Sequence, residues 1–149
     1  ERNLMFRHLL VVCTGNLCRS PLAEALLRAR LARAGRTIEV ASAGLMAGLR
    51  YPADETTCLV AAEHGLDLSA HESRPIEPEL IRWADLVLVM EQAQRRELLD
   101  MAPTAAGKVY LLGHWSEGEI TDPYRRGRDA GEAAYAQIEA AVEAWLARL

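Results

Sequence analysis

The sequence predicts a single three-layer α/β domain: a parallel sheet with helices packed on both of its faces. Three observations lead there. The chain has 149 residues, the size of one domain with a substantial core. Its short apolar runs are too short for helices and rich in β-branched residues. These runs alternate with longer stretches whose apolar residues recur at helical spacing. No internal repeat or low-complexity tract interrupts the alternation.

The elements follow in order. Residues 8–12, His-Leu-Leu-Val-Val, read as a buried strand, and residues 13–19 as the loop after it. A helix is expected from Pro21 to about Ala34, because proline at the first helical position loses no hydrogen bond. Leu22, Leu26, Ala29 and Arg33 share one face of it, Leu27, Leu31 and Ala34 widen the stripe, and Gly35 stops it. Residues 37–41 alternate around Ile38 and Val40 as a second strand. Residues 54–64 form a helix with Asp54 as cap and Gly65 as stop. Residues 86–90 are a fully apolar third strand, 91–101 a second long helix and 109–112 a fourth strand. Residues 130–149 close the chain as a helix, with Tyr135, Ile138, Val142, Trp145 and Leu149 near one face. In such sheets ligands gather at the carboxyl ends of the strands, which is where the loop at Cys13 begins.

The totals narrow the function. Half of the residues are hydrophobic, 26% are charged, and the formal net charge is −4, so a soluble protein without a nucleic-acid partner is expected. No apolar run approaches the roughly 20 residues of a membrane span, and direct membrane insertion is not expected. Residues 1–6 lack the pattern of a signal peptide. The domain is expected to cover residues 5–149, with 1–4 a cloning remnant or flexible N-terminus. Three cysteines, Cys13, Cys18 and Cys58, are not a disulfide framework and point to the reducing cytoplasm. Cys13 and Cys18 lack the spacing of a zinc pair, and His8, His64, His71 and His114 are scattered. Neither a metal nor another cofactor is expected.

The loop Cys13-Thr14-Gly15-Asn16-Leu17-Cys18-Arg19-Ser20 carries the chemistry. A phosphate dianion needs converging N–H donors and positive charge. A tight loop entering a helix N-terminus supplies the donors, and the helix dipole adds about half a positive charge. Gly15 lets backbone approach the ligand, and Asn16 tolerates a left-handed turn. Arg19 offers a planar fork for two phosphate oxygens. Cys13 at the start of this cradle is favoured as a thiolate and placed to attack phosphorus, giving a phosphocysteine intermediate. Ser20 caps the helix, donates to the Cys13 sulfur, or both. A leaving alkoxide or phenoxide also needs a proton. Asp122, stiffened by Pro123 and followed by Tyr124, is the candidate acid, against the plainer reading of a surface Asp-Pro turn.

The segment Val11-Val12-Cys13-Thr14-Gly15-Asn16-Leu17-Cys18-Arg19-Ser20-Pro21 resembles the signature of the low-molecular-weight protein tyrosine phosphatases, and Asp122-Pro123-Tyr124 resembles their late acid loop. The resemblance implies a four-stranded parallel sheet in the order 2-1-3-4. It implies Cys13 as nucleophile, Arg19 as transition-state clamp and Asp122 as general acid, then base. Ser42 and His71 resemble residues that brace the loop asparagine, here Asn16. Leu45, Leu49, Tyr51 and Tyr124 are candidate rim residues. Arsenate reductases of this fold use cysteines downstream, and this chain has none after Cys58. Arginine phosphatases tend to carry threonine where this chain has Leu17, and an apolar residue suits an aromatic leaving group better. Met101-Ala102-Pro103, Gly113-His114-Trp115 and Asp122-Pro123-Tyr124-Arg125 resemble the bacterial subgroup tied to exopolysaccharide or capsule export, which implies a membrane tyrosine autokinase as partner and inorganic phosphate as product and inhibitor. Cys18, on the same loop as Cys13, is a candidate redox partner for it. A phosphotyrosine-binding module without turnover is the alternative outside enzymes.

Overall fold

Side-chain alternation along the central strands divides the interior into two cores. In the computed structural model, which describes residues 6–149, β1 is His8–Cys13. Leu9, Val11 and Cys13 enter one core, and Leu10 and Val12 enter the other. β3, Leu86–Val89, divides the same way: Leu86 and Leu88 join the first core, Val87 and Val89 the second. Strands apolar on both faces must be covered on both, which is what the run of apolar residues predicts.

β2, Glu39–Gly44, and β4, Val109–Leu111, complete a four-stranded sheet in the order β2-β1-β3-β4, with every pair parallel. The first core lies under α1 (Arg19–Arg33), α2 (Glu55–Glu63) and α5 (Arg128–Leu146). The second is covered by α3 (Pro78–Trp83) and α4 (Gln92–Met101). The expected architecture and strand order both hold. The remnant or flexible segment expected at 1–4 lies outside the described residues.

Several boundaries differ for physical reasons. α1 begins at Arg19, not Pro21, so the helix N-terminus sits directly on the cysteine loop. Ala29, Arg33 and Ala34 are exposed, and the buried stripe of α1 runs instead through Leu22, Ala23, Leu26, Leu27 and Leu31. β2 runs to Gly44 rather than ending at Ala41: all six of its residues pair with β1, and this pairing overrides the weak strand preference of Ser42-Ala43-Gly44. α3 and a 3₁₀ turn at Pro103–Lys108 are too short to show helical periodicity and were not expected. The expected caps hold: the Asp54 carboxylate accepts from the Thr57 amide at 3.1 Å. Gly35 and Gly65 stop their helices at positive φ, 70° and 80°.

The end of β2 abuts the cysteine loop. A methyl group on Gly44 would lie 2.7 Å from the Thr14 carbonyl oxygen and 2.9 Å from the Asn16 amide nitrogen. Both are backbone atoms that cannot swing aside. Gly44→Ala is therefore expected to destabilise the fold by about 1–3 kcal/mol in urea unfolding. An unchanged midpoint would show that the loop yields without cost.

Candidate active site

Between Cys13 and α1 the chain turns its carbonyls outward. The Cys13 oxygen accepts from the Leu45 amide at 3.0 Å, and Thr14 from Met46 at 2.8 Å. Asn16 receives the His71 ring Nε2 at 2.7 Å, Leu17 the Asp54 amide at 2.9 Å, and Cys18 the Leu22 amide at 3.2 Å. A peptide unit with its carbonyl fastened outward presents its N–H inward. Among the described residues, the amides of Gly15, Leu17, Cys18 and Arg19 have no protein acceptor. No acidic side chain occupies the first turn of α1 to neutralise its dipole. The loop is thus an anion cradle built of backbone.

Asn16 keeps this shape. It is fully buried with φ of 57°, the left-handed conformation expected of it. Its Nδ2 donates to Ser20 Oγ at 2.7 Å and Ser42 Oγ at 3.0 Å, and its Oδ1 accepts from the Arg74 amide at 3.0 Å. Ser42 in turn donates to Glu24 Oε1 at 2.6 Å, and Glu24 pairs with Arg28 at 2.7 Å. The expected braces, Ser42 and His71, both reach Asn16. Glu24 and Arg74 complete the set and were missed. A carboxylate within the buried first turns of α1, four residues after Ser20, was the readable signal for Glu24.

The same network sets the direction of a proton at Cys13. Ser20 Oγ lies 3.0 Å from Cys13 Sγ. Since that oxygen already accepts from Asn16, its own hydrogen is free to point at sulfur. The Asn16 amide donates to the same sulfur at 3.3 Å. Two donors thus converge on one sulfur. Ser20 lies inside α1 and not at its cap, so of its two expected roles the geometry keeps the bond to sulfur.

Arg19 is buried as a cation, 2% exposed. Its Nη1 donates to Glu91 Oε2 at 2.5 Å and to the Ile120 carbonyl at 2.7 Å. That leaves the Nε–Nη2 edge, a fork suited to two oxygens of one anion. Asp122 Oδ2 lies 3.7 Å from Nη2, with the Asp122 side chain half exposed and its Oδ1 accepting from the Tyr124 amide at 3.0 Å. Glu91 was missed, although an acid directly after an apolar strand stands at the sheet edge where ligands bind. Gln94 is another such residue: its Oε1 accepts from the Met90 and Glu91 amides, and its Nε2 donates to Thr14 Oγ1 at 3.0 Å.

Cys13, Thr14, Gly15, Leu17, Cys18 and Arg19 form a cavity of about 220 Å³ with Asp122 and Tyr124 across it. Of the expected rim residues only Tyr124 lines it. Leu45 packs on the second core, while Leu49 and Tyr51 are exposed on the adjoining loop. Burial pushes the Cys18 thiol up to about 12, opposed by its hydrogen bond with Thr57 and assisted by the negative charges of Asp54, Cys13 and Asp122.

Comparison with known proteins agrees with this geometry. The family model for low molecular weight phosphotyrosine protein phosphatase matches residues 8–149. The Escherichia coli K12 low molecular weight protein-tyrosine-phosphatase Etp is 44% identical over 147 residues, covering 98% of this chain and 97% of the relative. The crystal structure of the Erwinia amylovora tyrosine phosphatase AmsI superposes with a TM-score of 0.93 at 41% identity, covering 100% of this chain and 97% of that one. The tyrosine phosphatase Wzb from Escherichia coli K30, solved in complex with phosphate, has a TM-score of 0.86 at 41% identity, covering 95% and 91%. A phosphate-sized cradle under a cysteine, carried on this sheet and matched along nearly the whole chain, leaves one assignment: the chain belongs to the low molecular weight phosphotyrosine protein phosphatase family.

Proposed function

We propose that Cys13 is the nucleophile of a protein tyrosine phosphatase, Arg19 the clamp on the transferring phosphoryl group, and Asp122 the general acid and then the general base. The observation that carries the reading is the pair of donors, Ser20 Oγ and the Asn16 amide, on a sulfur at the floor of an inward-facing ring of amides. The thiolate attacks phosphorus in line while the phosphoryl oxygens rest on the unpaired loop amides, those of Gly15, Leu17, Cys18 and Arg19 among them, and on the Arg19 fork. Asp122 protonates the departing phenolic oxygen, then takes a proton from the water that cleaves phosphocysteine. The Ser20 hydrogen bond favours thiolate as the leaving group of that second step. Inorganic phosphate, the product, fits the same cradle and inhibits by occupying it. The relative Wzb, crystallised with phosphate, supports this.

Tyrosine is the proposed side chain because the walls above the cradle are Leu17 and Tyr124, apolar and aromatic surfaces suited to a phenyl ring. The proposed physiological substrate is a membrane tyrosine autokinase of polysaccharide export. That reading rests on the resemblance of Gly113-His114-Trp115 and Asp122-Pro123-Tyr124-Arg125 to the export-associated subgroup. The proposed compartment is the cytoplasm, where an autokinase exposes its phosphorylated tyrosines and the three free cysteines stay reduced. Among the described residues no helix is long and apolar enough to cross a membrane.

A panel of phosphotyrosine, phosphoserine and phosphoarginine peptides tests the specificity. Phosphotyrosine is expected to be turned over fastest. Preference for phosphoarginine would overturn the role given to Leu17, and tight binding without turnover would favour a binding module.

Cys18 is proposed as a redox guard. Peroxide converts the Cys13 thiolate to sulfenic acid, and the Cys18 thiolate displaces hydroxide from it to form a disulfide. With its thiol pushed up to about 12, the thiolate fraction of Cys18 rises roughly tenfold for each unit by which pH increases toward that value. Peptide mapping after peroxide treatment is therefore expected to show the Cys13–Cys18 disulfide gaining on the sulfonic acid of Cys13 from pH 7 to pH 10. Sulfonic acid at Cys13 with Cys18 untouched at every pH would contradict it.

A further inference from the structure

The segment after the Asp122 turn reads Arg125-Arg126-Gly127-Arg128. Arg128 is spent within the fold, paired with Glu63 and, at 3.8 Å, with Glu132. Arg125 and Arg126 are exposed, and among the described residues neither has a carboxylate within ion-pair distance. Both cations therefore face solvent in the segment that follows Tyr124, a residue lining the cavity.

The backbone gives a second, independent sign. The Arg126 amide donates to the Pro123 carbonyl at 3.1 Å, closing a turn whose third residue, Arg125, has φ of 59°. Turns of this kind ordinarily place glycine or asparagine there. The chain keeps arginine at the strained position and uses glycine two residues later, at Gly127. Strain retained beside a site points to use of the side chain. Its guanidinium carbon stands 5.2 Å from the centre of the Tyr124 ring, and Tyr124 lines the cavity. The ring therefore carries a cation at the cavity's outer edge.

We propose that Arg125 and Arg126 are specificity-determining residues that select phosphotyrosines flanked by acidic residues. The proposal rests on the reading of the cavity as a phosphotyrosine site and adds the charge of the surrounding peptide to it. An extended peptide with its phosphate in the cradle passes the Tyr124 rim, and a neighbouring aspartate or glutamate there meets two guanidinium forks. Because these groups are solvent-exposed, each contact contributes on the scale of one surface ion pair and weakens with salt.

The test compares two phosphotyrosine peptides, identical except for aspartate and glutamate or serine and asparagine at the flanking positions. Wild-type protein is expected to favour the acidic peptide about two- to fivefold in kcat/KM at low salt, through KM, with the ratio shrinking as salt rises. In the double variant Arg125→Gly, Arg126→Ser the ratio is expected to fall to about one. Glycine suits the positive φ at 125, so the turn survives the substitution, and a melting curve checks this. Equal handling of both peptides by wild-type protein, or a ratio unchanged in the variant, overturns the inference while leaving phosphatase function standing. Failure to turn over either peptide, with aryl phosphate still hydrolysed, overturns the phosphotyrosine reading and this inference with it.

Discussion

The site depends on one constraint: the carbonyls of the loop between β1 and α1 are held outward. Five of them, from Cys13, Thr14, Asn16, Leu17 and Cys18, are bonded to the scaffold, and the amides between them are left to face a common point. A loop of this composition would not hold such a shape in isolation, since Asn16 sits in a left-handed conformation. The cost is met by burying that side chain among three partners, Ser20, Ser42 and Arg74, while the His71 ring donates to the Asn16 carbonyl. Cradle and scaffold are therefore a single hydrogen-bonded unit, and the anion site exists before any anion arrives.

Burial sorts the two charged functions within that unit. Arg19 is taken out of water and compensated on one nitrogen by Glu91 and the Ile120 carbonyl, which fixes its fork toward the cavity. Asp122 stays half exposed on a proline-stiffened turn, where the proton exchange with solvent that its proposed role needs is open to it. The two cysteines of the loop are treated oppositely. Cys13 receives two donors, whereas Cys18 is desolvated and held as a thiol. One loop thus holds a sulfur that receives two hydrogen-bond donors and a sulfur kept as a thiol.

Much of this was legible in the sequence. The apolar run before Cys13, the Gly15-Asn16 pair and Arg19-Ser20-Pro21 specify strand, cradle and helix locally, and local signals are what a sequence displays. The strand order and the pairing of braces came through resemblance rather than pattern. Ser42 and His71 lie 26 and 55 residues from Asn16, and nothing in their own neighbourhoods marks them. Glu24, Glu91 and Gln94 carry at most a weak local signal, a carboxylate early in a helix or a polar residue soon after an apolar strand, and only the folded chain shows their partners. The extent of β2 escaped because Ser42-Ala43-Gly44 is a strand by virtue of its pairing with β1 alone. Leu49 and Tyr51, expected at the rim from apolar character, sit on the neighbouring loop because apolar residues near a mouth need not line it.

The central claim is that Cys13, and no other residue, carries the phosphoryl group between the two chemical steps. Rapid acid quench of an Asp122→Ala variant during turnover of an aryl phosphate with a good leaving group, followed by peptide mass spectrometry, tests it most directly. Loss of the acid–base group slows hydrolysis of the intermediate, so one phosphoryl group is expected on the peptide bearing Cys13. Continued turnover with no phosphoryl group on Cys13, or with the group on a different residue, would contradict the account.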